Sequence, residues 1–290
     1  MGKTMTLLYI NGLKEIVDRY DAYIIDLWGV VHDGVTPYQQ AENCLASLKQ
    51  QNKQIYFLSN APRRVHLVEE QLNRLGINAS NHYHGIYSSG EDTFETISKR
   101  VDPFYKKLGA KVYPLSMQMH LQLFKDLNLI FVDDIEKASF ILNTGPAYSE
   151  IDDFDDILKK ARDLHLPMIC ANPDISVISG GKVGLCAGAF AQRYEQMGGI
   201  VKYHGKPYPA IYQNLLSRMK VSDKSKILAI GDSLMTDIKG ANAANIDCAL
   251  VMTGLAAQEF GASDMARARL QQSTKEKGIC PTYVLPELVF

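Results

Sequence analysis

The sequence lacks a long apolar run, paired cysteines and a secretion signal, and each absence excludes a class of protein. Nowhere do about 18 apolar residues follow one another, so no segment is predicted to cross a membrane. The five cysteines are scattered and none lies in a C-x-x-C pair, which argues against a disulfide framework and a zinc site. The amino terminus lacks the charged and apolar regions of a signal peptide, and we expect a cytoplasmic protein.

The chain also has almost no net charge. Its 31 basic and 32 acidic side chains give a formal charge of -1, so it has no electrostatic footprint for nucleic acid or an anionic membrane. We therefore expect no nucleic acid and no membrane among its partners, and a small molecule as its ligand. The sequence does not fix the oligomeric state, and a homodimer is one candidate assembly.

Two nucleotide-binding motifs are missing as well. No predicted strand leads into G-x-G-x-x-G, and Gly205 and Lys206 are followed by Pro207. The sequence therefore predicts neither a dinucleotide-binding fold nor a P-loop.

What the sequence does contain is an alternation of short apolar runs and amphipathic segments, which is typical of a parallel sheet covered by helices. The predicted strands are 22–26, 54–58, 111–114, 139–142, 167–170, 227–230 and 248–252, and the predicted helices are about 38–51, 63–75, 117–126, 149–164 and 235–244. The first and last thirds of the chain match as two halves of one sheet. The middle third has its own α/β pattern, so we interpret it as an insertion into a Rossmann-like core.

Aspartates follow two of the predicted core strands. Asp26 follows the apolar run 23–25, and Asp232 follows the run 227–231. A strand end holds a carboxylate rigidly at one edge of the sheet, so the two aspartates can build one site. Asp237 lies in the first turn of the next predicted helix, where the helix dipole also favours a carboxylate. Each aspartate taken alone is equally well explained as a turn or capping residue.

Three further residues lie at strand ends or turns. Ser59 and Asn60 end the second core strand at the head of a helix, where a hydroxyl and free backbone N–H groups can bind an anion. Lys206 lies in a tight turn between Gly205 and Pro207. Turn chemistry alone would also favour Ser59 and Asn60, and most lysines are solvated surface charges.

In this order, the four elements resemble the haloacid dehalogenase (HAD) superfamily of phosphohydrolases: an aspartate after one strand, a serine after the next, a lysine in a G-K-P turn and a G-D-x-x-x-x-D motif. Segments 171–174, 205–207 and 236–241 are similar to its class IIA group of sugar-phosphatase and nitrophenylphosphatase-like enzymes. The resemblance implies an α/β fold with a Rossmann-like parallel-sheet core and an inserted α/β cap domain of the C2 type. We place the core at residues 1–88 and 198–290 and the cap at 89–197.

The resemblance also implies roles for the candidate residues. Asp26 would be the nucleophile that forms an aspartyl-phosphate, and Ser59 and Lys206 would balance the charge of the phosphoryl oxygens. The substrate would be a small phosphorylated metabolite, with Asn60, Asn172 and Asp174 as its contacts.

A metal site is part of the same expectation. Oxygen ligands suit Mg²⁺, which would be held by Asp26, the backbone carbonyl of Trp28 and Asp232, with Asp237 orienting its coordination shell. Without a cation, an aspartate attacking a phosphate would meet repulsion of about 4 kcal/mol per charge pair at 4 Å and an effective dielectric near 20.

Trp28 departs from the phosphatase pattern. Phosphatases of this superfamily normally read D-x-D, and the second aspartate protonates the leaving oxygen; an indole N–H cannot act as an acid near neutral pH. Three interpretations follow: a magnesium phosphohydrolase restricted to good leaving groups or using His32 or Asp33 as the acid, a dehalogenase of the D-x-Y type, and a non-catalytic phosphate and magnesium binder. The phosphohydrolase is the leading hypothesis. Asp232 and Asp237 argue against the dehalogenase, and Asp26 with Lys206 argues against the non-catalytic binder.

Overall fold

Two separate parallel sheets organise the chain. The computed structural model describes residues 7–121, 124–146, 150–179, 182–261 and 265–290. Within them, strands β1 to β14 are Leu8–Tyr9, Ala22–Ile25, Gln54–Ser59, Gly85–Ser88, Lys111–Ser116, Ile130–Phe131, Phe140–Gly145, Met168–Cys170, Ser176–Ser179, Lys182–Leu185, Val201–Tyr203, Ile227–Gly231, Asp247–Val251 and Tyr283–Leu285. Helices α1 to α11 are Gln39–Gln50, Val65–Arg74, Ser89–Lys99, Pro103–Lys106, Gln118–Leu121, Asp155–Asp163, Ala187–Gln196, Pro209–Leu216, Lys239–Ala244, Gly254–Phe260 and Met265–Lys277.

The larger sheet is parallel throughout and has the order β1-β14-β13-β12-β2-β3-β4. Its two middle strands, β2 and β12, are buried along their whole length. Strands that are covered on both faces read as continuous apolar runs, which is why the sequence shows them clearly. The first and last thirds of the chain therefore form one sheet, and the predicted parallel-sheet α/β core is confirmed.

The second sheet is built from the middle of the chain, in the order β11-β8-β7-β5-β6, and it too is parallel throughout. Strands β9 and β10 form a separate antiparallel hairpin. The chain leaves the core sheet after β4 and returns to it at β12. Strand β11 pairs with the inserted sheet although it lies beyond residue 197, and the predicted domain limits stay a prediction.

Apolar clusters fill both faces of each sheet. One face of the core sheet packs under α1 and α2, with Leu45, Leu48 and Phe57 at its centre. The other face packs under α8, α9 and α11 around Tyr212 and Leu270. Burial of apolar side chains contributes about 25 cal/mol to the free energy of unfolding for each Å² of apolar surface removed from water. This packing holds the strand ends at a fixed edge of the sheet.

Two predicted helices of the insertion differ from the structure. The helix predicted at 117–126 was too long: the α-helix is Gln118–Leu121, and a tight hydrogen bond from Leu127 N to Phe124 O (3.1 Å) closes a turn after it. Residues 122–123 of that prediction lie outside the described residues. The helix predicted at 149–164 begins as a 3-10 turn at Ile151–Phe154 and becomes α-helical at Asp155, while residue 149 is not among those described.

No helix of the described segments is long and apolar enough to span a bilayer.

Candidate active site

The candidate site lies at the carboxyl edge of the core sheet, where β2 and β12 end side by side. Ile25 pairs with Ile230, and the next residue of β2, Asp26, donates its backbone N–H to Ile230 O at 2.9 Å. Asp232 directly follows β12. Both aspartates are thus fixed by the sheet register, as predicted from the strand ends.

Asp237 reaches the same point by an irregular turn. Residues Leu234–Ile238 form one π-helical turn ahead of α9, and the N–H groups of Asp237 and Ile238 both donate to Ser233 O at 3.1 Å. The wider turn brings the Asp237 carboxylate back toward the sheet, where its Oδ2 accepts from Ser233 N at 3.2 Å. Carboxylate oxygens of Asp26, Asp232 and Asp237 lie within 4.8 Å of one another.

Lys206 is the buried cation of this acidic cluster. Its Nζ donates to Asp26 Oδ1 at 2.6 Å and to Asp237 Oδ1 at 2.7 Å, and the residue is only 3% exposed. One ammonium group facing three carboxylates leaves an excess of negative charge when all are ionised. A buried excess of this kind is costly unless a cation or protons balance it.

The pKa values of the cluster reflect the same excess of negative charge. Burial, opposed by Lys206 and reinforced by Asp237, raises the pKa of Asp26 to about 7. Burial and the charges of Asp26 and Asp237 raise the pKa of Asp232 well above its usual range. Burial would lower the pKa of Lys206, but Asp237 and Asp26 raise it above its ordinary value. Three oxygen donors with surplus charge fit a divalent cation that prefers oxygen ligands.

Close backbone approach fixes Asp232. Its Oδ2 accepts a hydrogen bond from Leu255 N at 2.7 Å, and the same oxygen lies against the backbone of Gly29. A Cβ atom at residue 29 would come within 2.1 Å of that oxygen, and the backbone there has a φ of +80°. Only glycine fits this position, which explains why the turn after Asp26 contains a glycine at residue 29.

Asn60 ties the lysine turn to the end of β3. Its Oδ1 accepts from Lys206 N at 2.7 Å, and its Nδ2 donates to Lys206 O at 3.0 Å and to Asp174 Oδ1 at 2.7 Å. Asp174 is held in turn by Asn172, whose Oδ1 accepts from Asp174 N at 3.0 Å. Burial raises the pKa of Asp174 to about 6. The side chain of Asn60 thus connects the core sheet with the inserted segment that carries Asp174.

Trp28 is packed into the loop after Asp26. Its ring meets the His32 ring edge-on at a centroid distance of 5.4 Å and lies against Gly34, where a Cβ would come within 2.3 Å of the indole. Burial lowers the pKa of His32 to about 4, and its Nδ1 accepts from Gly34 N at 2.9 Å. Hydrogen bonds from the backbone of Thr36 and Val35 lower the pKa of Asp33. At neutral pH His32 is therefore neutral and Asp33 ionised.

Comparison with known proteins gives the family. Models described as haloacid dehalogenase-like hydrolase match residues 23–130 and 148–245, and one described as HAD-hydrolase-like matches 203–289. A solved hydrolase of the haloacid dehalogenase-like family from Brucella suis is 30% identical, with a TM-score of 0.82 over 97% of this chain and all of its own. The chain belongs to the haloacid dehalogenase-like hydrolase family. The resemblance drawn from its motifs is confirmed.

Two relatives of this HAD-like hydrolase carry the names of phosphatases. A D-glycerol 3-phosphate phosphatase of Mycobacterium tuberculosis is 24% identical over 84% of this chain and 66% of its own length, just under two thirds. The glycerol phosphate phosphatase of that organism has been solved with magnesium and with calcium; the magnesium complex has a TM-score of 0.66 at 22% identity. A 4-nitrophenylphosphatase of Schizosaccharomyces pombe is 25% identical over 85% of this chain and 88% of its own.

The structure places every predicted site residue of the HAD-like hydrolase around one cleft of about 850 Å³. The core contributes Asp26, Trp28, Ser59, Asn60, Lys206, Asp232 and Asp237, and the inserted segment contributes Asn172 and Asp174. Ser59 is 6% exposed, and its Oγ accepts from Ala61 N at 3.1 Å. The chemical roles assigned to these residues remain predictions.

Several cleft residues were missed by the sequence reasoning. They are Arg63 on the core side, His120 on α5, Thr144 on β7 of the inserted sheet, and the β9–β10 hairpin with Val177, Val183 and Leu185. Arg63 follows Ser59 closely in sequence and could have been found as a cation beside an anion-binding turn. His120, Thr144 and the hairpin carry no local signal, because they reach the cleft only through the placement of the inserted sheet.

Proposed function

We propose that this protein is a magnesium-dependent phosphohydrolase that acts on a small phosphorylated metabolite through an aspartyl-phosphate at Asp26. The observation that carries the proposal is the Asp26 carboxylate, which is buried at a strand end, bonded to Lys206 and grouped with Asp232 and Asp237 at the floor of a cleft. The phosphatase names of two relatives support the same activity.

Asp26, Asp232 and Asp237 would hold the cation, with the backbone carbonyl of Trp28 as a further oxygen ligand. When bound, Mg²⁺ neutralises negative charge on the carboxylates and on the phosphoryl oxygens. The magnesium complex of the mycobacterial glycerol phosphate phosphatase supports this choice of metal.

The residues of the chain supply the rest of the chemistry. An Asp26 carboxylate oxygen attacks phosphorus, the bond from phosphorus to the ester oxygen breaks, and that oxygen leaves with the bonding electrons. Water then attacks the phosphorus of the aspartyl-phosphate, which releases phosphate and returns the carboxylate. The Lys206 ammonium group and the Ser59 hydroxyl stabilise the charge on the phosphoryl oxygens. The inserted sheet acts as a cap that excludes bulk water and selects the leaving group.

The leaving oxygen needs no strong acid if it is already stable as an anion. Trp28 cannot supply a proton. His32 is neutral, so it lacks the second ring proton that an acid would donate, and Asp33 is ionised. General acid catalysis is worth about a hundred- to ten-thousand-fold, and poor leaving groups depend on it most. We propose that activity is concentrated on esters with good leaving groups.

A screen of phosphate esters tests the proposal. Purified protein is expected to release phosphate with Mg²⁺ present and to stop when the metal is chelated, and rates across substituted phenyl phosphates should rise steeply as the leaving-group pKa falls. Asp26→Asn should be inactive at every leaving group. A flat dependence on leaving-group pKa would contradict the role given to Trp28.

A non-catalytic phosphate and magnesium binder is the second candidate, because Trp28 takes the place of the usual acid. Thermal stabilisation by phosphate esters without any phosphate release would favour it. A dehalogenase is a weaker alternative, since it gains little from a carboxylate-held cation; halide release that survives chelation would revive it.

A further inference from the structure

Arg63 is a cation of the cleft whose guanidinium group is incompletely paired. It lies between Asn60 and α2 and lines the cleft. Its Nη1 donates to Gln71 Oε1 at 2.9 Å, while its Nε is buried and has no hydrogen-bond partner within the described residues. A guanidinium group that lines a cleft and is not neutralised by a carboxylate of the protein is suited to bind an anionic ligand.

The neighbouring Arg64 shows what an arginine with a structural role looks like in the same turn. Its Nε donates to Glu91 Oε2 at 2.8 Å, and its guanidinium group stacks on the Phe94 ring at 3.4 Å. Among the described residues, no carboxylate lies within ion-pair distance of Arg63. Two adjacent arginines are therefore used differently, and only Arg64 is satisfied by the protein.

The position of Arg63 is fixed by the backbone. A Cβ atom at Gly90 would come within 2.2 Å of Arg63 N, so the start of α3 presses directly on the chain at residue 63. The side chain is held in the cleft and partly removed from water, and burial lowers its pKa. A rigidly placed, partly desolvated guanidinium binds an anion more strongly than a surface arginine does.

Two neutral polar residues of the inserted segment, His120 and Thr144, line the same cleft as Arg63. His120 is buried, and its Nδ1 is 3.1 Å from Thr144 Oγ1. Burial, together with the positive charge of Arg63, lowers the pKa of His120 to about 4, so the imidazole is uncharged at neutral pH. Besides the site acids Asp26, Asp174, Asp232 and Asp237, two further acids line the cleft. Asp33 accepts hydrogen bonds from the backbone of its own turn, and Glu150 is exposed to solvent.

We propose that Arg63 binds a second anionic group, carried by the leaving-group part of the substrate. The inference rests on the proposed phosphohydrolase function and narrows its substrate class to phosphate monoesters that bear a carboxylate or a second phosphate. The phosphoryl group being transferred is assigned to Asp26, Ser59 and Lys206 in the proposed function, and no described hydrogen bond joins Arg63 to these residues, so a second anionic group is assigned to Arg63. His120 and Thr144, which line the same cleft, are neutral groups that can hydrogen-bond to this part of the substrate.

Matched substrates separate this role from general phosphate binding. The probes are aryl esters, in keeping with the proposed preference for good leaving groups: 4-(carboxymethyl)phenyl phosphate, 4-(2-hydroxyethyl)phenyl phosphate as its uncharged match, and benzene-1,4-diol bisphosphate. The wild-type protein should have a kcat/KM roughly 10- to 100-fold higher for an anionic probe than for the hydroxyethylphenyl ester, the size expected for one charge-assisted hydrogen-bonded pair. The carboxylate and bisphosphate arms show which anion is preferred.

Variants then locate the effect. Arg63→Gln should lose most of the preference while keeping activity on 4-(2-hydroxyethyl)phenyl phosphate, which also shows that the variant is folded, and Arg63→Lys should keep part of the preference. Arg74→Gln is the control, because Arg74 is an exposed arginine of α2 that does not line the cleft; it should keep the full preference.

Three results would overturn the inference: a wild-type protein without preference for either anion, an Arg63→Gln variant that loses the same factor on charged and uncharged esters, or an Arg74→Gln variant that loses the preference as Arg63→Gln does. If the wild-type protein releases phosphate from no ester at all, the proposed function has failed instead. In that case calorimetry tests the role of Arg63 separately. The Kd of each anionic probe relative to that of its uncharged match is measured on the wild type and on Arg63→Gln.

Discussion

The ammonium group of Lys206 and the carboxylate of Asp26 form a buried ion pair of 2.6 Å between residues 180 positions apart. The pair joins the end of β2 to a turn that the chain reaches only after the whole inserted sheet. Because Lys206 also bonds Asp237, one side chain links the end of β2 to the π-helical turn ahead of α9.

Replacing Lys206 by methionine should abolish turnover and weaken the metal-free protein. The change removes the buried cation that the carboxylates share. Loss of one charge-stabilising group costs about a hundred- to a thousand-fold in rate, and breaking a buried ion pair costs roughly 3–5 kcal/mol of unfolding free energy. Urea unfolding with chelator and with Mg²⁺ measures the second effect.

Magnesium should recover more stability in Lys206→Met than in the wild type, since the cation replaces the lost positive charge. Lys220→Met is the matched control, because Lys220 is exposed and lies outside the cleft. A Lys206→Met protein that unfolds at the wild-type urea concentration under both conditions would contradict the account.

Magnesium binding should strengthen as the pH rises through 7. Burial raises the pKa of Asp26 from 3.8 to about 7, so between these values the folded chain holds a proton that the unfolded chain has released. This group therefore stabilises the metal-free protein fully below pH 3.8, and its contribution is lost as the pH rises through 7. A bound cation requires the ionised carboxylate.

The increase in Tm on adding Mg²⁺, measured from pH 6 to pH 8, checks this sign. We expect the larger increase at pH 8. Asp26→Asn should have a small increase without this pH dependence. An increase that is largest at pH 6 in the wild type would be the opposite of the predicted linkage.

Trp28→Asp should speed hydrolysis of esters with poor leaving groups. The new carboxyl group would stand where the superfamily places its acid, and its gain should approach the hundred- to ten-thousand-fold range of general acid catalysis. The cost is lower stability, because the indole leaves its contacts with His32 and Gly34. Steady-state kinetics on alkyl and nitrophenyl phosphates provides the measurement.

Trp28→Asn serves as the control for Trp28→Asp, since it removes the ring without supplying an acid. Equal rates for the two variants on alkyl phosphates would mean that the missing acid does not limit the enzyme.

Asn60→Ala should lower both stability and kcat. The asparagine satisfies the backbone N–H and C=O of Lys206, and its loss leaves buried polar groups unpaired at a cost of about 1–3 kcal/mol. A displaced lysine turn would also misplace the Lys206 ammonium group. Asn172→Ala, which loses the bond to Asp174 N and leaves the lysine turn intact, should have the smaller effect on stability. Chemical denaturation and kcat measured on both variants check the order, and a reversed order would contradict the bridging role of Asn60.

The parts of the site that were predictable are the ones fixed by strand ends. Asp26 and Asp232 follow buried parallel strands and Ser59 ends one, and a parallel sheet brings such ends to one edge whatever the rest of the chain does. Asp237 was expected in a regular helix from residue 235, but a π-helical turn carries it instead. Hydrophobic periodicity does not distinguish one wide turn from an ordinary helical one.

The parts that were not predictable depend on how the inserted sheet sits over the core. His120 and Thr144 come from α5 and β7, and nothing in their local sequence indicates that they share a cleft with Arg63. The β9–β10 hairpin was missed because its strands have only four residues each. Tertiary packing decides these positions.

The central claim is that Asp26 is phosphorylated during turnover, and rapid acid quench followed by peptide mass mapping tests it most directly. The protein is mixed with a reactive aryl phosphate and Mg²⁺ and stopped before the first turnover is complete. The account predicts a phosphoryl group on the peptide that contains Asp26, absent when the metal is chelated and absent in Asp26→Asn. Steady phosphate release by Asp26→Asn at the wild-type rate, with no label on that peptide in the wild type, would contradict it.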